Sequence, residues 1–171
     1  FLLRTIALKQ LLADISATMD FIRQLGLIGP NESFIGTGGA VVFGLVYNFI
    51  PFMTLPLYTT LERLDVRYLE AGSDLYASPS KVFRKVTLPL SMPGIISGTL
   101  LTFIPIAGDY VDASQDFLGS SDTSMIGTMV VQDQLVTNNP QSATALSVLL
   151  MGTILVLITV YVRRAGTEEL L

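Results

Sequence analysis

Five aspartates lie in one stretch of the chain, residues 109–142, that contains no lysine or arginine. The first of them directly follows a long uncharged run and precedes an aromatic residue, Tyr110. A carboxylate beside an aromatic ring suits an alkylammonium group, through charge and through attraction to the ring face. The stretch therefore predicts a cation-attracting vestibule, although external loops are often acidic merely because they lack basic residues. The carboxylates are Asp109, Asp112, Asp116, Asp122 and Asp133.

The composition excludes several kinds of catalytic chemistry. The chain has no histidine and no cysteine, so it lacks the usual general base, thiol chemistry and the commonest metal ligand. Its net charge of −4 argues against nucleic-acid binding. Ala107-Gly108-Asp109 resembles part of the G-x-G-D element of intramembrane aspartyl proteases, but Ile106 replaces the first glycine. Residues 36–39 lack the lysine of a phosphate-binding loop, so we predict a chain that is not an enzyme.

Three long uncharged runs must position the acidic stretch. Only 14% of the residues are charged and the mean hydropathy is +0.59, whereas soluble domains carry about 25% charge. Because a bilayer core of about 30 Å needs roughly 20 apolar helical residues, we predict an all-α membrane protein. The predicted spans are residues 40–57, 88–107 and 143–162 of a single domain that covers 1–171.

The first 32 residues predict one amphipathic helix rather than a span. Apolar residues recur at spacings of three and four, and Gly29-Pro30-Asn31 is expected to end the helix. The helix would lie at the membrane interface or pack on neighbouring spans. Because the chain starts at Phe1, we expect it to be incomplete at its N-terminus. The apolar face consists of Leu8, Leu11, Leu12, Ile15, Met19 and Ile22.

Prolines interrupt the first two predicted spans, and each lacks an N–H group and frees a carbonyl one turn earlier. In a bilayer, neighbouring protein or a polar cavity must satisfy these carbonyls. Tyr47 and Asn48 add polar atoms to the first span; interhelical hydrogen bonding and a role in lining a pathway are both open. The interrupting residues are Pro51, Pro56, Pro93-Gly94 and Pro105.

The basic residues predict an orientation. The loop 62–85 holds five lysines and arginines, the stretch 109–142 holds none, and Arg163 and Arg164 follow the third span. By the positive-inside rule, the loop and the tail face the cytoplasm, and 109–142 faces outside. The N-terminal segment must then also lie outside.

The most polar segment between spans, residues 62–87, is named here the polar hairpin. Asp65 is expected to cap a helix over residues 66–76, and Ser78-Pro79 to start a second helix that Leu88-Pro89 closes. Two helix caps and several aromatic residues favour a surface that binds a partner over a plain solvated loop.

The polar hairpin and the start of the second span carry a characteristic set of residues: Glu70-Ala71-Gly72, Asp74-Leu75, Ala77-Ser78, Phe83, Leu88-Pro89-Leu90 and Pro93-Gly94-Ile95. This set resembles the EAA loop of ABC-importer permease subunits. Residues 2–7, 44–47 and 51–58 are similar to permeases of the spermidine/putrescine type. The resemblance covers essentially the whole chain, and it implies the C-terminal part of a polytopic type I importer permease with amphipathic and coupling helices.

The resemblance implies partners and a mechanism. A cytoplasmic ATPase dimer, which binds ATP and Mg²⁺ in place of any cofactor in this chain, would push the hairpin and switch the spans between inward-open and outward-open. A second permease, an extracytoplasmic binding protein and a bacterial or archaeal plasma membrane complete the system. The ATPase would contact Glu70, Ala71, Gly72, Asp74, Leu75, Tyr76, Ala77 and Ser78. The substrate pathway would include Asp109, Tyr110, Tyr47, Asn48 and Asp112.

The sequence departs from the family pattern at the turn of the hairpin. Tyr76 stands where the family has a glycine, and Gly72 replaces the second alanine of the EAA triplet. Because that glycine allows an unusual backbone, we expect Gly72 to take over the flexibility. Permeases for other small solutes, a secondary transporter or channel without an ATPase, and a non-transporting remnant are the alternatives.

Overall fold

The fold is helical throughout the part of the chain that the structure describes. A computed structural model describes residues 1–26, 28–29 and 32–165, and no strand occurs among them. This confirms the predicted all-α class. The chain forms two compact units: Phe1–Phe49 with Ile104–Leu155, and Ile50–Phe103 with the described residues from Val156 onward.

The N-terminal segment forms two helices, α1 (Leu2–Leu11) and α2 (Ala17–Gln24), so the prediction of one continuous helix is wrong. Ser16 causes the break. Its hydroxyl accepts a hydrogen bond from the Met19 N–H at 3.2 Å and donates one to the Leu11 carbonyl at 2.6 Å. A serine that caps a new helix in this way satisfies its free N–H groups and stops the preceding helix.

The break also changes which apolar residues face the core. Leu8, Leu12 and Met19 are buried as predicted, but Leu11 is half-exposed and Ile15 is 97% exposed. The second helix ends at Gln24, earlier than the predicted Gly29-Pro30-Asn31. Pro30 and Asn31 lie outside the described residues.

Helix α3 (Gly38–Glu62) contains the first predicted span and continues through Pro51 and Pro56. Threonine hydroxyls hydrogen-bond the helix carbonyls around the prolines. The Thr54 hydroxyl donates to the Ile50 and Pro51 carbonyls at 3.0 and 3.1 Å, and the Thr60 hydroxyl donates to the Pro56 carbonyl at 2.8 Å. These hydroxyl groups add hydrogen bonds to the helix beside its prolines.

The second predicted span is bent at its start. Residues Pro79–Leu90 and helix α7 (Met92–Ala107) meet at an angle of 62°. The helix thus begins after the predicted start at residue 88. Pro93 explains the position, because proline cannot donate to the carbonyl four residues earlier but fits the first turn of a new helix.

Two glycines one turn apart bring α7 against α3 within the second unit. A Cβ atom at Gly94 would lie 2.5 Å from the Thr60 hydroxyl, and one at Gly98 would lie 2.7 Å from the Met53 sulfur. This spacing is the small-xxx-small pattern with which membrane helices approach closely. From the sequence, Gly94 was expected at a helix break and in the family motif, with no indication of this packing role.

The last two α-helices of the described chain are α8 (Ile126–Leu135) and α9 (Pro140–Ala165). Among the described residues, α3 and α9 are long and apolar enough to cross a membrane, and the bent pair adds a third crossing if it forms one span. None of the most apolar stretch of α9 is buried within the chain, which suits a helix that faces lipid or another membrane helix.

The first unit has an apolar core around the N-terminal half of α3. Leu8, Leu12 and Met19 pack with Ala40 and Leu118. A neighbouring cluster consists of Val41, Leu45, Phe49 and Ala113. The loop after α7 is therefore held against α3, which positions the acidic stretch described below.

Candidate functional site

The polar hairpin is built from α4 (Arg67–Asp74), α5 (Pro79–Val82) and a wider helical turn over Phe83–Thr87. The two helix caps predicted for the hairpin differ in detail from those observed. Asp65 accepts the Arg67 N–H at 2.9 Å, but the capping position is Val66. Ser78 has the extended backbone of a cap without a side-chain hydrogen bond.

The predicted closure of the second hairpin helix at Leu88-Pro89 is wrong. Helical structure continues through Leu88–Leu90, named α6, and ends at Ser91. Pro89 lacks the N–H that would bond to the Lys85 carbonyl, and the preceding turn is widened rather than ended. The Ser91 hydroxyl donates to the Thr87 and Leu88 carbonyls at 2.8 and 3.0 Å.

The turn between α4 and α5 explains why a glycine is expected at position 76. The Tyr76 N–H donates to the Ser73 carbonyl at 2.9 Å, and the Ala77 N–H donates to the Gly72 carbonyl at 3.2 Å. These two bonds form a Schellman motif, whose residue after the cap is left-handed and usually glycine. Tyr76 adopts that conformation with φ 53°.

Gly72 does not take over the flexibility, so that expectation is wrong: its φ is not positive, and it lies inside α4. Its missing side chain serves packing instead. A Cβ atom at Gly72 would lie 2.9 Å from a Val82 methyl group. The glycine therefore allows α4 and α5 to approach closely.

The residues proposed to contact an ATPase form an open surface. Glu70, Ala71, Asp74 and Ser78 are exposed, whereas Gly72 and Ala77 are half-buried. Leu75 is 80% exposed and Tyr76 is 99% exposed. Adjacent large apolar side chains that are exposed on a polar segment favour an interaction surface over a plain solvated loop.

A buried polar cluster joins the acidic stretch to α3 and includes two predicted pathway residues, Asn48 and Asp112. The Asn48 amide nitrogen donates to both carboxylate oxygens of Asp112, at 3.0 and 3.2 Å, and to the Thr5 hydroxyl at 2.9 Å. Thr5 and Asp112 are fully buried, and Asn48 is 2% exposed. A buried carboxylate requires such donors. Thr5 was not predicted, because nothing in the sequence pairs it with residue 48.

Asp109 extends this cluster toward the loop. Its carboxylate accepts the Asp112 N–H at 2.9 Å, and its side chain is buried. Burial raises the pKa of the Asp109 carboxyl, and the nearby Asp112 carboxylate raises it further, while backbone N–H groups of residues 111–113 oppose both effects. Asp109 and Asp112 are thus held inside the loop rather than presented as free ligands.

Tyr47 interacts with an arginine from α1. The Arg4 guanidinium donates to the Tyr47 carbonyl at 2.9 Å and lies 4.8 Å from the centre of the Tyr47 ring. This carbonyl is the one that Pro51 deprives of its partner within the helix. The sequence contained a signal for this contact, because Arg4 lies among apolar residues and Pro51 leaves the Tyr47 carbonyl in need of a donor.

We expect Arg4→Ala to destabilise the chain by about 1 kcal/mol, because it removes an exposed hydrogen bond to the Tyr47 carbonyl. Pro51→Ala restores an N–H one turn later, so Arg4→Ala should cost clearly less in a Pro51→Ala background. Unfolding of the four variants in a double-mutant cycle measures this difference. Equal losses in both backgrounds would contradict the pairing of Arg4 with that carbonyl.

The raised pKa of Asp109 predicts a pH dependence of stability. The folded chain keeps the Asp109 proton to a higher pH than the unfolded chain, whose value lies near 3.8. The resulting stability is fully present below that value and is lost as the pH rises through the folded pKa. Asp109→Asn should remove this loss, so its melting temperature relative to wild type should rise with pH. A pH-independent difference would contradict the prediction.

A cavity of about 540 Å³ opens beside the cluster within the first unit. Tyr110, which is half-exposed, and Asp116 line it. The hydroxyl oxygens of Ser114 and Thr128 are buried along its wall and have no hydrogen-bond partner among the described residues. Sequence reasoning missed both hydroxyls, because isolated serine and threonine residues carry no spacing signal.

Comparison with known proteins places the chain in a family. The family described as binding-protein-dependent transport system inner membrane component matches residues 17–165. The chain is 36% identical, over 95% of its length and 56% of the relative's, to the spermidine/putrescine transport system permease protein PotB of Haemophilus influenzae. It is 38% identical to PotB of Escherichia coli, over 75% of the chain and 46% of the relative.

The inner membrane ABC transporter permease protein YdcU of Escherichia coli is 33% identical over the whole chain and 57% of its own length. The chain thus spans about half the length of the curated relatives it matches. The helical fold, the apolar helices and the match to residues 17–165 agree. The chain belongs to the family of binding-protein-dependent transport system inner membrane components.

Proposed function

We propose that this chain is part of the permease subunit of an ATP-driven importer that carries polyamines such as spermidine or putrescine into the cytoplasm. It would act by alternating access in a bacterial or archaeal plasma membrane. Its partners would be an ATPase dimer, a second homologous permease and an extracytoplasmic binding protein. The observation that carries the proposal is the exposed polar hairpin joined directly to the bent second span.

The hairpin suits the transmission of force. Helix α4 packs closely on α5 through Gly72 and Val82, and helical structure runs from Pro79 to Leu90 before the bend. A rigid two-helix unit moves as one body when a partner pushes it, and the bend at Ser91 is where that movement would reach the membrane helix. The exposed residues from Glu70 to Ser78 would form the ATPase contact.

The cavity beside Tyr110 suits a flexible cation with several amino groups. Tyr110 offers an aromatic face, Asp116 a carboxylate, and Ser114 and Thr128 hydroxyl oxygens without partners. Cation–π attraction, charge and neutral acceptors together match an alkylammonium chain. Asp109, Asp112 and Asn48 would hold the loop that presents Tyr110, while Arg4 already lies over the ring of Tyr47.

Uptake of labelled spermidine by the complete, reconstituted transporter tests the proposal. Tyr110→Ala and Asp116→Asn should each raise the KM for uptake about tenfold, because each removes an attraction to the cation. Asp122→Asn is the control, since Asp122 is an exposed carboxylate in the same stretch that does not line the cavity. Asp109→Asn should lower uptake while the complex still assembles.

The same preparation tests the energy source and the substrate class. ATP hydrolysis should rise with polyamines and not with amino acids or metal ions. Stimulation by another solute instead would contradict the polyamine assignment and leave the importer assignment standing. Spermidine uptake that continues without the ATPase would contradict the ATP-driven importer assignment and leave the polyamine assignment standing.

A further inference from the structure

The turn that ends α4 carries a residue type that its backbone disfavours. Among the described residues other than glycine, only Tyr76 and Asn138 have positive φ values, 53° and 51°. Asparagine is common in this conformation, but a bulky aromatic residue there is an outlier. Glycine would make the same two Schellman hydrogen bonds without strain. The turn itself therefore does not require the tyrosine side chain.

Packing inside the described chain does not require it either. Tyr76 is 99% exposed, and the preceding Leu75 is 80% exposed. A side chain that is strained in its backbone and unburied stabilises nothing in the isolated chain. Its presence is explained if the ring becomes buried in a complex, because aromatic side chains contribute most where a partner covers them fully.

The surroundings of Tyr76 favour a protein partner with an acidic rim. Just past the turn, Ser78 and Ser80 line a cavity of about 280 Å³ together with Lys81, Arg84 and Lys85. Among the described residues, the lining of this cavity includes three cations and no carboxylate. An exposed tyrosine followed along the chain by a cluster of cations fits an interface in which an aromatic anchor is buried and charged groups at the rim determine partner choice.

We propose that Tyr76 is a specificity-determining contact with the ATPase, whose surface offers an apolar pocket for the ring and acidic groups for the three cations. This inference rests on the proposed function. It predicts opposite effects of one substitution: Tyr76→Gly relieves the backbone strain of the permease and removes its anchor for the ATPase. A residue that served only the fold would change both properties in the same direction.

The experiment uses the complete permease complex and the ATPase subunit that co-purifies with the whole transporter. Tyr76→Gly should raise the melting temperature of the ATPase-free permease by about 2–4 °C and weaken ATPase binding about 30-fold. Tyr76→Phe should keep wild-type binding, because it retains the ring. Asn138→Gly is the matched control: it changes the other left-handed residue and should leave ATPase binding unchanged.

Wild-type ATPase affinity in Tyr76→Gly, while the wild-type transporter shows ATP-driven uptake, would overturn this inference and leave the proposed function intact. A Tyr76 ring that rests on the membrane surface, and not on the ATPase, would also leave the ATPase affinity unchanged in Tyr76→Gly. A wild-type permease that takes up substrate without any ATPase would overturn the proposed function itself. An unchanged melting temperature in Tyr76→Gly would contradict the strain at this turn.

Discussion

Gly72→Arg is expected to abolish ATP-driven uptake by the complete transporter while the membrane helices remain folded. Any Cβ atom at this position meets a Val82 methyl group at 2.9 Å, and an arginine side chain must force α4 away from α5. The hairpin would then lose the rigid shape that we propose the ATPase engages. Uptake of labelled spermidine and pull-down of the ATPase measure the two consequences.

A smaller substitution separates packing from charge. Gly72→Ala adds only the methyl group that meets Val82, so we expect a partial loss of uptake. Val82→Ala removes the opposing methyl groups and should restore uptake in the double variant. If Val82→Ala fails to rescue Gly72→Ala, close packing of α4 on α5 is not what Gly72 supplies.

Asn48→Leu is expected to lower the free energy of unfolding by about 3 kcal/mol, because it removes the donors from a buried carboxylate. Asp112 is fully buried, and the Asn48 amide nitrogen donates to both of its carboxylate oxygens. Unfolding of the purified complex by denaturing detergent measures the loss. A loss close to zero would mean that Asp112 finds another donor.

The partner residue provides the control. When Asp112→Leu is combined with Asn48→Leu, the buried charge is removed together with its donor, and two apolar residues of similar shape replace the pair. The double variant should therefore be more stable than Asn48→Leu alone. The hydrogen bond from the residue 112 N–H to the Asp109 carboxylate involves the backbone, so the double variant should keep it.

Much of the helical architecture could be predicted because membrane helices are encoded locally. A long uncharged run is sufficient to indicate α3 and α9, since a bilayer leaves few other ways to satisfy the backbone. The spaced residues from Glu70 to Ile95 sufficed for the family, because they lie within one short segment. The break at Ser16 was missed for a related reason: apolar periodicity continued through it and hid the cap.

Pairings between distant residues could not be predicted in the same way. Asn48 and Asp112 are 64 positions apart, and Arg4 and Tyr47 are 43 apart. Their types indicated polar atoms that needed partners, but only the folded chain decides which atoms meet. The buried hydroxyls of Ser114 and Thr128 depend on tertiary structure even more, since neither has a recognisable pattern.

The sequence by itself determined the helical membrane class, the family and the place of the polar hairpin, because hydropathy, charge and motif spacing are local properties. Only the tertiary structure decided what the hairpin's irregular residues do. Tyr76 keeps the left-handed turn that a glycine normally occupies, and Gly72 supplies close packing against Val82 instead of flexibility. The backbone conformation of this turn follows from the hydrogen bonds to the Gly72 and Ser73 carbonyls and from the packing of the next helix. No single residue type encodes these contacts.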